Sequence, residues 1–226
     1  MIDVSVLITC FNKEKYLTDC IESIKRQTKE PKEIIIVHDA CKGVGIHLEV
    51  DNIVLHQNLG VSKARDAAFK LSSGELILFV DGDDVLSPDY LEKMTLVLAK
   101  GADVAYPDIY HWAGKESRLV VLPKKITPKF VQDYQKVVMP VTCLMKRKVY
   151  EIVGGFKEWP VLEDLDFWVT AMCKGYTFKK AETLLWYRRT PETRNTMDII
   201  KRREILKQIL AQFVFKDGEI YGKNQL

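Results

Sequence analysis

The sequence has no long apolar run; nothing in it approaches the roughly 20 apolar residues that a membrane-crossing helix needs. Its first residues, MIDVSVLITCFNKEKY, lack a basic leader and a small-residue cleavage site, so no signal peptide is expected. Cysteine is sparse, with five in 226 residues: Cys10, Cys20, Cys41, Cys143 and Cys173. The number is odd, the positions are scattered and no CxxC pair occurs. Neither a disulfide frame nor a zinc site is expected, and the reading is reduced thiols in a cytoplasmic protein. An excess of one charge is also missing. The formal net charge is +3, too small for a nucleic-acid footprint, so no nucleic-acid partner is expected. Repeats and strong linkers are absent. What is present is an ordinary globular composition, 47% hydrophobic and 29% charged, long enough to bury a sizeable core.

Apolar patterning along the chain alternates between two periods. Asp3 to Thr9, Glu33 to Asp39, Asn52 to Gln57 and Glu75 to Asp81 are short runs rich in β-branched residues, and read as buried strands. Between them lie helical patterns. One places Tyr16, Leu17, Cys20, Ile21 and Ile24 on one face, with Asn12 as its N-cap. A second places Val61, Ala64, Ala68 and Leu71 on one face. A third starts at Ser87-Pro88, a favoured cap and first-turn pair. This alternation predicts an α/β fold with a mostly parallel sheet, whose ligands bind beyond the carboxyl ends of the strands. TCFN, HDAC and DGDD then fall along one edge. Downstream, short strands are expected within Ala102 to Leu122, at Val141 to Met145 and at LLWYRRT. Glu163 to Gly175 is expected as a helix burying Leu165, Trp168, Val169 and Met172. IIKRREILKQILAQFVF reads as a final amphipathic helix that can pack on the core (the favoured reading), dimerise or rest on anionic lipid as a peripheral membrane contact.

The segment ELILFVDGDDVLSPDY carries three carboxylates in four residues, at Asp81, Asp83 and Asp84. Like charges that close raise one another's pKa. A plain turn needs one Asp and one Gly; a divalent cation bound by oxygen ligands accounts for all three acids. No EF-hand loop is present. The same segment resembles the nucleophile motif of haloacid-dehalogenase-like phosphatases, which would make Asp81 a phosphorus nucleophile and Asp83 an acid/base. That motif usually opens its domain, whereas here strands and helices precede it.

The ordered set VSVLITCFNKEKYLTDCIESIKRQT, EIIIVHDA, NLGVSKARDAAFKLSSGELILFVDGDD, GGFKEWPVLEDLDFWVTAMCKGY and YRRT resembles family 2 glycosyltransferases. The resemblance implies the GT-A (Rossmann-like nucleotide-diphospho-sugar transferase) fold, with residues 1–190 as the domain and 191–226 as a short helical extension. It implies inverting transfer of one sugar from a nucleotide-diphosphate sugar, a UDP-sugar being favoured, with Mn²⁺ or Mg²⁺ as cofactor and a glycan or lipid-linked acceptor. By the same resemblance Asp83 is the metal ligand and Asp81 faces the ribose or metal-bound waters. Asp84 is left open. Asp164 is the general base, with Glu163 and Trp168 on the acceptor side. Taken alone, Glu163 and Asp164 could simply be first-turn acids favoured by the helix dipole. Thr9, Asn12 and Asp39 are assigned to the donor base. Arg65 is assigned to the nucleotide or the metal carboxylates, and Arg188 to the diphosphate, with Arg189 and Arg194 as alternatives. The chain departs from the family pattern at VHDAC, where His38 replaces an acid and Ala40-Cys41 replaces Gly-Ser, and at Asp66. His38 reads as a hydrogen-bonded structural group. The Q-x-x-R-W signature of processive enzymes is absent. A non-catalytic nucleotide-sugar binding module is the remaining alternative.

Overall fold

The computed structural model describes residues 2–41, 50–55, 57–126, 130–131, 139–188, 199–216 and 219–223. Four parallel strands form its first half: β1 (Ile2–Cys10), β2 (Pro31–Asp39), β3 (Asp51–Leu55) and β4 (Leu76–Asp81). β1 is buried from Val4 to Cys10 without alternation, as expected of a central strand covered on both faces. Helices α1 (Glu14–Lys25) and α2 (Val61–Leu71) connect these strands. Next come β5 (Val85–Leu86), α3 (Tyr90–Ala99), β6 (Val104–Trp112), β7 (Arg118–Val120), β8 (Leu144–Lys146), α4 (Arg147–Val153), α5 (Glu163–Cys173) and β9 (Phe178–Arg188). Among the described residues the main sheet has nine strands in the order β3-β2-β1-β4-β8-β6-β9-β5, with β7 paired to β6.

Strand parity sorts the core into two layers. Val4, Val6, Ile8, Cys10 and Ile36 face α1 and α3, packing on Leu17, Ile21, Ile24, Tyr90 and Met94. Leu7, Ile35, Val37, Ile77 and Phe79 face the other side, against Ala64 and Ala68 of α2, Val149 and Tyr150 of α4, and Phe167 and Trp168 of α5. A third cluster joins α5 to α6 (Ile199–Leu210), β10 (Phe213–Lys216) and β11 (Glu219–Gly222) through Leu165, Val169, Leu206, Ile209, Phe213 and Ile220. The basic last helix therefore packs on the core, as favoured.

Local expectations shift in four places. Asn12 does not cap α1. It adopts a left-handed φ of 54°, the helix begins at Glu14, and Lys13 stands at the cap position with no side-chain cap. Ser87 likewise precedes a turn rather than capping α3, which starts at Tyr90; its Oγ pairs with Thr183 Oγ1 at 2.7 Å. Leu71 is 62% exposed, because Arg65 and Ser62 take part of the buried face of α2. FVF is strand, not helix: β10 pairs antiparallel with β11.

Candidate active site

The strand order reverses between β1 and β4, the place where open α/β sheets leave a crevice at their carboxyl edge. Side chains alternate faces along each strand, so Thr9, Asp39 and Asp81 all project toward the α2 layer. Thr9 and Asp81 are register partners. Gly82 lets the strand ends close up: its N–H donates to Thr9 O at 2.9 Å, and a Cβ there would lie 3.2 Å from that same oxygen. Above these ends lies a cavity of about 400 Å³ lined by Thr9, Lys13, Asp39, Arg65, Asp81, Glu163 and Asp164, among others.

The acidic turn holds a cation of its own. Lys13 Nζ lies 2.5 Å from Asp83 Oδ1 and 3.7 Å from Asp81 Oδ2. Burial opposes the ammonium, but the two carboxylates override it and hold Lys13 well above its usual pKa. Burial also works to raise Asp81, yet Lys13 and Arg65 hold it below the usual carboxylate range. Asp83 goes the other way, pushed up by burial and by the neighbouring Asp81 charge despite Lys13. Asp84 turns from the cavity and accepts the Arg188 backbone N–H at 3.3 Å. It is 1% exposed and its carboxyl is raised by burial and by Asp83 and Asp81. The three acids are therefore not equivalent: Asp81 and Asp83 share one cation, and Asp84 braces β9.

Arg65 joins the two halves of the site. Its guanidinium is 3.1 Å from Asp81 Oδ1 and 2.8 Å from Glu163 Oε1, lies over the Phe156 ring at 4.9 Å, and is 2% exposed. The next turn aims Glu163 and Asp164. Leu162, in a left-handed conformation at φ 66°, immediately precedes α5. Such strain costs about 1 kcal/mol or more in a non-glycine residue and persists only where the surroundings hold it. Burial, then the Glu163 charge, pushes the Asp164 carboxyl up to about 7, with Arg65 opposing. A carboxyl poised there can take a proton near neutral pH.

The remaining expected residues fall in different places. Asp39 lines the cavity, and its two oxygens accept the N–H groups of Leu59 and Gly60 at 2.8 and 3.0 Å, fixing the loop that leads into α2. Asn12 is exposed and does not line the cavity. Arg188 lies behind the acidic turn: its Nε donates to Asp83 O at 3.1 Å and its Nη2 to Asp19 Oδ2 at 2.9 Å. It stacks on Tyr16 and Trp112. Arg189 and Arg194 lie outside the described residues. Trp168 requires a correction: it is 1% exposed and packed edge-on against Phe167 and Phe178, so it cannot touch an acceptor. The buried stripe to which its helical spacing assigns it outweighs its place after an acidic pair. Several cavity residues were not singled out from sequence, among them the cations Lys13 and Arg202 of α6. A lysine one helical turn from the first strand, in a chain with a three-acid turn, was the available signal for Lys13; nothing in the spacing pointed to Arg202.

Comparison with known proteins places this geometry. The model for "Glycosyl transferase family 2" matches residues 5–154, which takes in the acidic turn and Arg65 and stops short of Glu163. YwdF of Bacillus subtilis, an uncharacterized glycosyltransferase, is 30% identical over 195 residues, 78% of this chain and 70% of that protein. The amylovoran biosynthesis glycosyltransferase AmsE of Erwinia amylovora is 30% identical over 193 residues, covering 76% of this chain and 70% of its own. Among solved structures, S. aureus TarS 1-349 in complex with UDP-GlcNAc superimposes with a TM-score of 0.71 at 19% identity, over 93% of this chain and 66% of that one. That likeness shows the GT-A fold. No helix among the described residues is long and apolar enough to cross a membrane. The phosphatase reading falls with the family match, and the chain belongs to glycosyl transferase family 2.

Proposed function

We propose that the protein transfers one sugar, with inversion, from a nucleotide-diphosphate sugar to an acceptor hydroxyl, using Asp164 as general base. The observation that carries this reading is a single cavity holding a raised carboxyl, Asp164, linked through Glu163 and Arg65 to the acidic turn at Asp81. In this scheme the donor lies over Thr9, Asp39 and Asp81. Inversion requires the acceptor oxygen to attack the sugar face opposite the departing diphosphate while a base removes its proton. Glu163 orients the acceptor beside Asp164, and Arg202 adds positive charge at the same end. A UDP-sugar is favoured because TarS was solved with UDP-GlcNAc and with UDP. A glycan or lipid-linked acceptor is favoured, in keeping with AmsE being named for amylovoran biosynthesis. The catalytic domain is taken as residues 1–190, with 191–226 as an extension.

A divalent cation fits the acidic turn. The donors are hard carboxylate oxygens suited to Mn²⁺ or Mg²⁺, and Lys13 already places positive charge between Asp83 and Asp81. Asp83 would be the ligand, with Asp81 beside it; when bound, the ion supplies charge neutralisation for the departing nucleoside diphosphate. Lys13 must then move aside. In Lys13→Met the metal-free protein should lose on the order of 1–3 kcal/mol, because Asp83 loses its cation and Asp81 keeps Arg65 alone. Mn²⁺ should restore most of that loss and bind several-fold tighter than in the parent. Thermal melts with and without Mn²⁺ check both, and a variant that binds Mn²⁺ more weakly would count against the displacement.

The whole reading is tested by a thermal-shift and hydrolysis screen of nucleotide sugars with Mn²⁺. One donor should stabilise the protein and be hydrolysed slowly. Asp83→Ala should abolish the metal-dependent part and lower turnover about 100-fold or more. No nucleotide-sugar response under any metal condition sinks the proposal, and binding without any transfer leaves the non-catalytic module.

A further inference from the structure

The VHDAC departure has its own geometry, on the face of the sheet opposite Asp39. Cys10 and His38 are register partners at the ends of β1 and β2, so their side chains share the α1 face. Ala40 then takes a left-handed φ of 58°, and its N–H donates to His38 O and Leu55 O at 3.1 and 3.0 Å. This turn folds Cys41 back, with its Sγ 3.0 Å from Cys10 O. A ligand atom from each of Cys10, His38 and Cys41 lies within 4.8 Å of the others. Cys10 and His38 are buried, at 0% and 1% exposed, whereas Cys41 is only partly covered.

We propose that Cys10, His38 and Cys41 bind one Zn²⁺ ion, a second metal site chemically distinct from the acidic turn. A tetrahedral zinc with Zn–S about 2.3 Å and Zn–N about 2.0–2.1 Å keeps its ligand atoms about 3.5–3.8 Å apart. Each pair here therefore needs to close by at most about 1.3 Å. Two sulfurs and an imidazole select Zn²⁺ over the Mn²⁺ or Mg²⁺ that carboxylates prefer, so the two sites sort metals by softness. Cys41 is only partly covered, so a solvent oxygen can supply the fourth ligand. Bound zinc would tie β1, β2 and the segment after β2 together at the corner where Cys10 also lines the cavity. Two of the replacements that depart from the family pattern, His38 and Cys41, complete the set with Cys10. Nothing in this site depends on the transferase reading.

The test uses the full chain, stripped of metal and titrated with Co²⁺. A thiolate-to-cobalt charge-transfer band should grow to one equivalent and vanish on adding one equivalent of Zn²⁺. Cys41→Ser, at the partly exposed ligand, should lose the band and bind Zn²⁺ at least tenfold more weakly in competition with a chromophoric chelator. Asp83→Ala should keep the band, and Cys173→Ser should match the parent. If Cys41→Ser does not fold, His38→Gln carries the same comparison. The proposal is overturned by the absence of a thiolate band, by a band that depends on Cys20, Cys143 or Cys173, or by Zn²⁺ affinity in Cys41→Ser and His38→Gln within twofold of the parent.

Discussion

Asp164→Asn should cut transfer at pH 8 by roughly 1,000-fold, within the span usual for general-base loss, and should raise the melting temperature at the same pH. Both effects follow from one environment. Burial and the Glu163 charge lift the Asp164 carboxyl from 3.8 to about 7. The folded protein therefore holds that proton more tightly than the unfolded chain. Its contribution to stability is complete below about pH 4 and is lost as pH rises through about 7. Above pH 7 an ionised carboxylate stays in the cavity at a cost. A tenfold change in proton affinity is about 1.4 kcal/mol, which sets a ceiling of about 4 kcal/mol. Asp164 is only half-buried and the cavity is open to solvent, so about 1–2 kcal/mol is expected, or roughly 2–8 °C. Asparagine keeps the shape and carries no charge. The melting curves of parent and variant should coincide near pH 4.5 and separate by pH 8. The parent's kcat/KM should climb with an inflection near pH 7, and the variant should show no such rise. Unchanged donor binding in the variant distinguishes loss of chemistry from loss of fold. A variant retaining more than a tenth of parental transfer would remove Asp164 as base.

This trade of stability for chemistry also bears on what could be read from the chain. The strands were legible because β1 and β2 lie between two helix layers, and a strand covered on both faces leaves an unbroken apolar run. The parity of Thr9, Asp39 and Asp81 follows from those same strands, so one wall of the site was legible with them. The contacts that join this wall to the rest of the site were not. Lys13 meets Asp83 across 70 residues, and Arg65 meets Glu163 across 98; no local spacing encodes such pairings. Periodicity also misleads where a polar group has a better partner inside. Arg65 is buried on α2 because two carboxylates await it, and Leu71 is turned outward in consequence. The FVF segment shows a different limit: a three-residue apolar run fits either period, and its pairing with β11 decides in favour of strand. Likewise Cys10, His38 and Cys41 carry no metal-ligand spacing, since a strand pairing and a left-handed turn, not a local motif, bring them together.

Arg65→Met should be the most damaging single change to the fold of the site. The guanidinium is 2% exposed and reaches Asp81 with one nitrogen and Glu163 with another. Methionine fills much of the same volume over Phe156 but leaves Glu163 without its cation and Asp81 with Lys13 alone, at 3.7 Å. Breaking a buried pair by removing one partner costs about 3–5 kcal/mol, or roughly 6–20 °C in a chain of this size. Arg65→Lys keeps the charge, but a single ammonium cannot span two acceptors with the fixed geometry of the guanidinium, so its melting temperature should fall between those of Arg65→Met and the parent. The two-sided contact also makes a prediction that simple misfolding does not. Arg65 opposes the rise of the Asp164 pKa, so any residual transfer in Arg65→Lys should show its pH inflection at or above that of the parent, never below. Adding Glu163→Gln to Arg65→Met should recover part of the lost stability, because one of the stranded charges is then gone. If Arg65→Met melts within about 2 °C of the parent, or if Glu163→Gln adds to the damage at full size, the bridge between the acidic turn and the base is not what holds this cavity together.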